Sequence, residues 1–139
     1  MTLMMSGDAS VTAFPEGDNL FCWKGTIAGG KDTIYEGLAY KVTITFPNNY
    51  PYSAPTVKFD TPCYHPNVDE THGHICIDIL KDQWSASYDV RTVLLSIQAM
   101  LGDPNVDSPL NGEAAQLYQN RDVYKAQVHQ HYRQHAQAC

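Results

Sequence analysis

Residues 61–67 read Thr-Pro-Cys-Tyr-His-Pro-Asn, and residues 72–80 read His-Gly-His-Ile-Cys-Ile-Asp-Ile-Leu. Each proline of the first half fixes φ and lacks a backbone N–H, so we expect a rigid, irregular loop rather than a strand. The second half brings Cys76 to the edge of that loop between apolar neighbours. A cysteine that faces an amide-bearing loop is a candidate nucleophile, and Asn67 is then its candidate oxyanion donor. The rest of the chain is predicted to be a scaffold that holds the two halves together.

The sequence before this stretch has the pattern of antiparallel strands. The clearest alternation places five apolar residues on one side, Leu38, Tyr40, Val42, Ile44 and Phe46. Strict alternation of this kind is typical of a strand with one solvated face. Residues 20–28 and 56–59 predict further strands, whereas the composition of residues 14–19 predicts a turn.

After the central stretch the apolar period changes from two to that of a helix. One stripe is formed by Val90, Val93, Leu94, Ile97 and Leu101. Asp89 is its predicted N-cap, and residues 102–104 (Gly-Asp-Pro) end it. Two further helices are predicted to begin at the Asn111 and Asn120 caps. Strands followed by helices indicate an α+β fold, in which a four-stranded antiparallel meander carries the helices on one face.

Length and composition limit the class of protein. The 139 residues predict a single domain over residues 1–139, and 43% hydrophobic with 17% charged residues is typical of a globular chain. A net charge of -6, with scattered basic residues, argues against nucleic acid as a partner. We find no apolar run of membrane-spanning length and no signal peptide, so we expect a soluble intracellular protein with reduced cysteines.

Cys76 alone has two interpretations. Free cysteines are often small buried hydrophobes, and this one lies in a short apolar segment. His74 and Asp78 share its face if the segment is extended. A nearby histidine lowers the pKa of a thiol and a nearby carboxylate raises it. This combination suits a moderately nucleophilic thiol whose electrophile is already activated.

A zinc-binding module is the alternative to a nucleophile. Five residues are competent zinc ligands, namely Cys63, His65, His72, His74 and Cys76. Their spacings are not those of the common structural zinc modules. We therefore predict no metal site.

Several motifs in a fixed order resemble those of ubiquitin-conjugating enzymes. They are His65-Pro66-Asn67, residues 73–80, Trp84-Ser85, Asp103-Pro104-Asn105 and Pro109-Leu110. Their order and spacing match that family over nearly the whole chain from Phe14 onward. The beginning of the chain (residues 1–8), residues 61–64 and residues 107–110 resemble most the mitotic members, which serve the anaphase-promoting complex.

This resemblance implies an acyl transfer through Cys76. Cys76 accepts ubiquitin from the activating enzyme as a thioester, and a lysine of a substrate or of another ubiquitin then attacks it. Asn67 either gives its side-chain amide to the oxyanion or braces the loop. The implied partners are ubiquitin, the activating enzyme, a ligase and protein substrates such as mitotic regulators, in cytoplasm and nucleus. No cofactor is bound, because ATP is used by the activating enzyme.

The resemblance also implies roles around the cysteine. Asp78, Asn105 and Ser108 match positions that line the approach of the lysine. Many members carry an acidic residue where this chain has Ser108, so we expect positioning and desolvation rather than one strong base.

Two further surfaces follow from the same resemblance. Tyr52, Ser85 and Ala86 match the loops on which ligases dock. Family members begin with a fuller amphipathic helix than residues 2–6 offer, so we expect either a shortened N-terminal helix or a sequence that begins inside a longer protein. A non-catalytic ubiquitin-binding variant of the same fold is the remaining alternative, although such a variant is expected to lack Cys76.

Overall fold

The structure is a computed structural model that describes residues 10–69, 71–107 and 109–136. Its strands are β1 (Val11–Glu16), β2 (Asn19–Ala28), β3 (Ala39–Thr45) and β4 (Thr56–Phe59). Its helices are α1 (Val90–Gly102), α2 (Gly112–Leu117) and α3 (Arg121–His131), with a 3-10 helical turn at Asp78–Leu80 and a π-helical turn at Tyr132–Ala136. The predicted short N-terminal helix and Ser108 lie outside the described residues.

The four strands form one antiparallel sheet in the order β1-β2-β3-β4. The alternation predicted for β3 is confirmed, since Tyr40, Val42 and Ile44 are buried while Lys41 and Thr45 are exposed. Each buried side chain of β3 faces the helices, and each exposed one lies on the outer face of the sheet.

Strand β1 corrects the turn predicted over residues 14–19. Phe14 and Pro15 pair with Lys24 and Trp23 of β2, and only the short connection after Glu16 turns. The strand tolerates Pro15 because β1 is an edge strand and its register shifts immediately after the proline. A proline followed by Glu-Gly-Asp has the composition of a turn, and sequence alone does not show that the strand lies at an edge.

The three predicted helix caps are confirmed. The Asp89 carboxylate accepts a hydrogen bond from Thr92 N at 2.8 Å, at the start of α1. Asn111 caps α2 and Asn120 caps α3 through the same kind of contact, at 3.1 and 3.3 Å. Each cap satisfies an N–H that the first helical turn leaves without an internal partner.

Helix α1 packs its apolar stripe against the inner face of the sheet. Val93, Leu94 and Ile97 are buried in one core with Ile27 and Ile44. The predicted α+β arrangement is therefore confirmed, with helices on one sheet face. Within the described part of the chain, no helix has the length and apolar character needed to cross a bilayer.

The loop after β4 folds back on itself and brings its two halves together. Asp69 N donates to His74 O and Gly73 N donates to Asp69 O, both at 2.8 Å. Gly73 has φ +77, and a Cβ there would lie 2.2 Å from Phe59 O, so only glycine fits this turn. The chain leaves the turn antiparallel to Val68, through a bridge to Ile75. This geometry places Cys76 beside Asn67.

Candidate active site

The two halves of the central stretch meet as the sequence predicted. Cys76 N donates to Asn67 O at 2.9 Å, which fixes the cysteine backbone against the proline-braced loop. Both residues line a cleft of about 530 Å³ between the 3-10 turn and α1. The Cys76 side chain is partly exposed, so an incoming carbonyl group can reach its sulfur from the cleft.

His65 holds the loop from inside the protein. Its buried ring lies 2.9 Å from Met100 O through Nε2, and its Nδ1 accepts a hydrogen bond from Asn67 N at 3.0 Å. Because Nδ1 accepts, the ring hydrogen sits on Nε2 and is donated to the carbonyl of α1. Burial lowers the pKa of His65 to about 4, so the ring is neutral at pH 7. These contacts give His65 a structural role, which is to hold the loop that carries Asn67.

This buried histidine predicts a specific loss of stability in mild acid. Its pKa falls from 6.5 in the unfolded chain to about 4 in the fold, so the unfolded chain binds the proton first. The free energy of unfolding therefore decreases as the pH falls below about 6.5. Below about pH 4, His65 causes no further decrease. Between about pH 7 and about pH 5 we expect the free energy of unfolding to lose about 2 kcal/mol through His65.

Urea denaturation at both pH values measures this loss. The difference in the free energy of unfolding between the two pH values should be about 2 kcal/mol smaller in His65→Gln than in the parent, because glutamine does not titrate. His72→Gln is the matched control, since His72 is exposed and pairs with Asp69 at 3.1 Å. Equal acid sensitivity in the parent and in His65→Gln would contradict the assignment.

The Asn67 side chain joins the two walls of the cleft. It is 1% exposed, its Oδ1 accepts from Asn105 N at 2.7 Å, and its Nδ2 donates to Asn105 O at 2.7 Å. One amide thus satisfies both backbone groups of Asn105 and fixes the loop after α1. In the part of the chain that the structure describes, Nδ2 donates this one hydrogen bond, which leaves its second hydrogen for a ligand in the cleft.

The other described cysteines are poor nucleophiles. Cys63 is fully buried, and this burial raises the pKa of its thiol far above the usual value. Burial and the adjacent carboxylate of Glu16, 3.4 Å from its sulfur, raise the pKa of Cys22. Neither thiol readily forms the thiolate that nucleophilic chemistry requires.

Charged groups surround Cys76 in the cleft. The lining includes Asp78, Lys81, Asp82 and Asp103. Lys81 Nζ lies 3.5 Å from Cys76 Sγ. The face-sharing arrangement expected for His74, Cys76 and Asp78 is only partly present, because a 3-10 turn begins at Asp78. Asp78 still lines the cleft, whereas the exposed His74 ring packs beside His72 with centroids 5.8 Å apart.

The five candidate zinc ligands are dispersed. Cys63 and His65 are buried in the core, while His72 and His74 are exposed. In residues 10–69, 71–107 and 109–136, no three histidine, cysteine or acidic side chains are grouped so that they could hold a metal ion. The five candidate ligands therefore do not form the zinc site that the alternative interpretation requires.

Comparison with known proteins decides the family. The family model described as "Ubiquitin-conjugating enzyme" matches residues 1–132. The chain belongs to the ubiquitin-conjugating enzyme family. A curated protein of Schizosaccharomyces pombe, named "Ubiquitin-conjugating enzyme E2-20 kDa", is 53% identical over 136 residues, which are 96% of this chain and 77% of that protein.

A solved structure supports the same assignment. The ubiquitin conjugating enzyme E2 domain of Toxoplasma gondii superposes with a TM-score of 0.85 at 39% identity, over 91% of this chain and 90% of that one. This ubiquitin-conjugating enzyme therefore has the fold predicted from the resemblance. Membership of the family implies ubiquitin, an activating enzyme and ligases as partners.

The residues matched to ligase docking come together on the surface of this conjugating enzyme. Tyr52 is 82% exposed. Trp84 Nε1 donates to Pro51 O at 2.8 Å, so the loop that carries Tyr52 lies against the loop that carries Ser85 and Ala86. The partly buried Trp84 ring also packs on Tyr50, so this aromatic residue belongs in part to the core.

Three charged residues of the cleft were not predicted from the sequence, namely Lys81, Asp82 and Asp103. Lys81 and Asp82 follow the 3-10 turn, and Asp103 follows α1. The polar run immediately after Ile79-Leu80 was the sequence feature that could have indicated Lys81 and Asp82. Asp103 comes to the cleft only through the packing of α1, so its position could not be inferred from spacing.

Proposed function

We propose that this ubiquitin-conjugating enzyme carries ubiquitin as a thioester on Cys76 and transfers it to substrate lysines with the anaphase-promoting complex as its ligase. The proposal that Cys76 carries ubiquitin rests on the hydrogen bond from Cys76 N to Asn67 O, at 2.9 Å. This contact holds the partly exposed Cys76 beside the Asn67 side chain in the cleft. We propose that this activity takes place in the cytoplasm and the nucleus. We also propose that residues 1–139 form the single catalytic domain.

The proposed reaction has two acyl transfers. In charging, the Cys76 thiolate attacks the ubiquitin thioester of the activating enzyme, whose own thiolate leaves. In discharge, a neutral lysine amine attacks the Cys76 thioester, a C–N bond forms, the C–S bond breaks, and the amine gives its surplus proton to water. Both steps pass through a tetrahedral oxyanion, to which the second Nδ2 hydrogen of Asn67 can donate. ATP is consumed by the activating enzyme, and this chain needs no cofactor of its own.

Acidic and amide groups of the cleft are proposed to receive the lysine. Asp78 and Asp103 line the cleft with Asn105, and their negative charge attracts an incoming ammonium group. Ser108 lies outside the described residues, and its proposed role is to orient the amine by hydrogen bonding. A serine is a poor base, so we assign catalysis to positioning and desolvation rather than to one strong base.

The ligase proposal rests on an exposed surface and on local sequence. Tyr52 projects from a loop that Trp84 braces, and exposed aromatic residues on braced loops are typical anchors of protein interfaces. The resemblance of residues 61–64 and 107–110 to mitotic members favours the anaphase-promoting complex, and hence mitotic regulators as substrates. Ser85 and Ala86 are proposed to form the rim of this surface.

Replacing Tyr52 by alanine is expected to weaken ligase-dependent transfer. Loss of a central aromatic anchor costs about 2 kcal/mol or more, so transfer at subsaturating ligase should fall by tenfold or more, roughly. Charging by the activating enzyme should fall by less. Phe14→Ala is the matched control, because Phe14 is an exposed aromatic residue (54%) on the outer face of the sheet. If both variants respond to the ligase as the parent does, Tyr52 is not an anchor.

A charging assay with activating enzyme, ATP and ubiquitin tests the proposed function. We expect an adduct that disappears when thiol reductant is added, and a faster loss of that adduct to lysine when the anaphase-promoting complex is present. An adduct with no acceleration by this ligase, but acceleration by another, would retain the conjugating activity and reject the ligase. Absence of any adduct would favour the non-catalytic ubiquitin-binding alternative.

A further inference from the structure

Two buried tyrosine hydroxyls hold the backbone of the loop that carries Asn67. The Tyr35 hydroxyl donates a hydrogen bond to the carbonyl oxygen of Tyr64, three residues before Asn67. The same hydroxyl lies 2.5 Å from the hydroxyl of Tyr124, which belongs to α3. All three tyrosines are at most 1% exposed, so bulk water does not compete for these contacts.

The direction of both hydrogen bonds follows from the number of hydrogens. A tyrosine hydroxyl has one hydrogen and a carbonyl can only accept, so the hydrogen of Tyr35 points to Tyr64 O. The Tyr124 hydroxyl must then be the donor to Tyr35. Burial raises the pKa of Tyr35 and that of Tyr124 above the usual value of a tyrosine, so both hydroxyls keep their hydrogen near pH 7. Tyr124 therefore orients Tyr35, and Tyr35 holds Tyr64.

The Tyr35 side chain also contacts this loop through its ring. The rings of Tyr35 and His65 have centroids 5.8 Å apart. His65 Nδ1 accepts a hydrogen bond from Asn67 N at 3.0 Å, and Asn67 O accepts one from Cys76 N at 2.9 Å. A continuous series of contacts thus joins Tyr35 to the backbone of Cys76, although Tyr35 itself is outside the described lining of the cleft.

We propose that Tyr35, oriented by Tyr124, is a positioning residue for the transfer of ubiquitin from Cys76, because it sets the place of the Asn67 amide. This inference rests on the proposed thioester and on the proposed donor role of Asn67. Without its hydroxyl, Tyr35 withdraws a donor from a buried carbonyl, so the segment from Tyr64 to Asn67 shifts towards another donor. A donor that is displaced by about 1 Å loses up to about 10²-fold in rate.

Single-turnover discharge of the charged enzyme to free lysine tests this inference. The test variant carries Tyr35→Phe and Tyr124→Phe together, because the Tyr124 ring also packs on Tyr64 and its hydroxyl can replace that of Tyr35. Phenylalanine keeps both rings and removes both hydroxyls. At saturating lysine we expect discharge to be about tenfold slower than in the parent, with a KM for lysine that changes by less than about twofold.

A double-mutant cycle with Asn67→Ala separates positioning from a general loss of structure. In that background the two phenylalanine substitutions should slow discharge by less than about twofold, because the amide that they position is absent. Tyr132→Phe is the matched control, since its hydroxyl also bonds backbone, namely Ala39 O at 3.0 Å, and it should discharge at the parental rate. Urea denaturation sets a temperature at which all variants are folded, and the cycle is run with Tyr35→Phe alone if the paired substitutions unfold the chain.

Each other outcome has a definite meaning. Discharge at the parental rate in the test variant, or an equal loss in both backgrounds, would overturn the inference and leave the carrier function intact. A raised KM for lysine at an unchanged maximal rate would overturn it as well, since the hydroxyls would then act on binding of the amine. The same holds if Tyr132→Phe slows discharge equally or if Asn67→Ala discharges as the parent does. A parent that forms no thioester would instead contradict the proposed function.

Discussion

Replacing Asn67 by alanine is expected to slow the transfer of ubiquitin from Cys76 to lysine by about 10²–10³-fold, the effect of removing one oxyanion donor. The structure supports this expectation because Asn67 lines the cleft with Cys76, and within the described residues its Nδ2 donates one hydrogen bond, to Asn105 O. Charging of Cys76 should be slowed much less, since the activating enzyme contributes its own groups to that step.

The same substitution removes two hydrogen bonds from the Asn105 backbone, each 2.7 Å long. We expect a loss of about 1–2 kcal/mol in the free energy of unfolding, because water can satisfy part of the exposed Asn105 backbone. The variant should therefore fold, and its defect in transfer should exceed what a slightly loosened loop explains.

Single-turnover charging and discharge, measured with urea denaturation of each variant, separate the two roles of Asn67. Asn111→Ala is the matched control, because Asn111 is also buried and its cap loss costs about 1 kcal/mol, yet it does not line the cleft. The control should transfer ubiquitin at nearly the parental rate. If Asn67→Ala loses charging and discharge equally, the amide acts as a brace and not as an oxyanion donor.

Local patterns predicted much of this fold. The alternation of β3 and the caps Asp89, Asn111 and Asn120 depend on interactions within a few residues, and the structure confirms them. Strand β1 was missed because the suitability of Pro15 depends on its position at the edge of the sheet. Whether a strand lies at an edge depends on how the whole sheet assembles, and a short stretch of sequence does not show this.

The candidate site was predictable in its composition but not in its contacts. Cys76 and Asn67 were selected from the residues themselves, and their backbone contact agrees with that selection. The pairing of the Asn67 amide with the Asn105 backbone joins residues 38 positions apart, and chain spacing does not encode such a contact. Lys81 was overlooked for a different reason. Its approach to Cys76 requires the 3-10 turn that begins at Asp78, and the sequence patterns did not predict that turn.

The proposed role of Cys76 predicts the largest effect of any substitution. Cys76 is partly exposed and lines the cleft, whereas burial raises the pKa of Cys63 and that of Cys22. Cys76→Ala should abolish the ubiquitin adduct. Cys76→Ser should replace it with a slowly formed oxyester that thiol reductant does not cleave, because a hydroxyl is a weaker nucleophile and an ester resists thiols. Cys22→Ser is the matched control and should charge as the parent does.

The most direct measurement is therefore a charging gel of the parent, Cys76→Ser and Cys22→Ser, run with and without reductant. Our account predicts a reductant-sensitive adduct in the parent and in Cys22→Ser, and a reductant-resistant adduct or none in Cys76→Ser. A reductant-sensitive adduct that persists in Cys76→Ser would show that another thiol carries ubiquitin and would contradict the account.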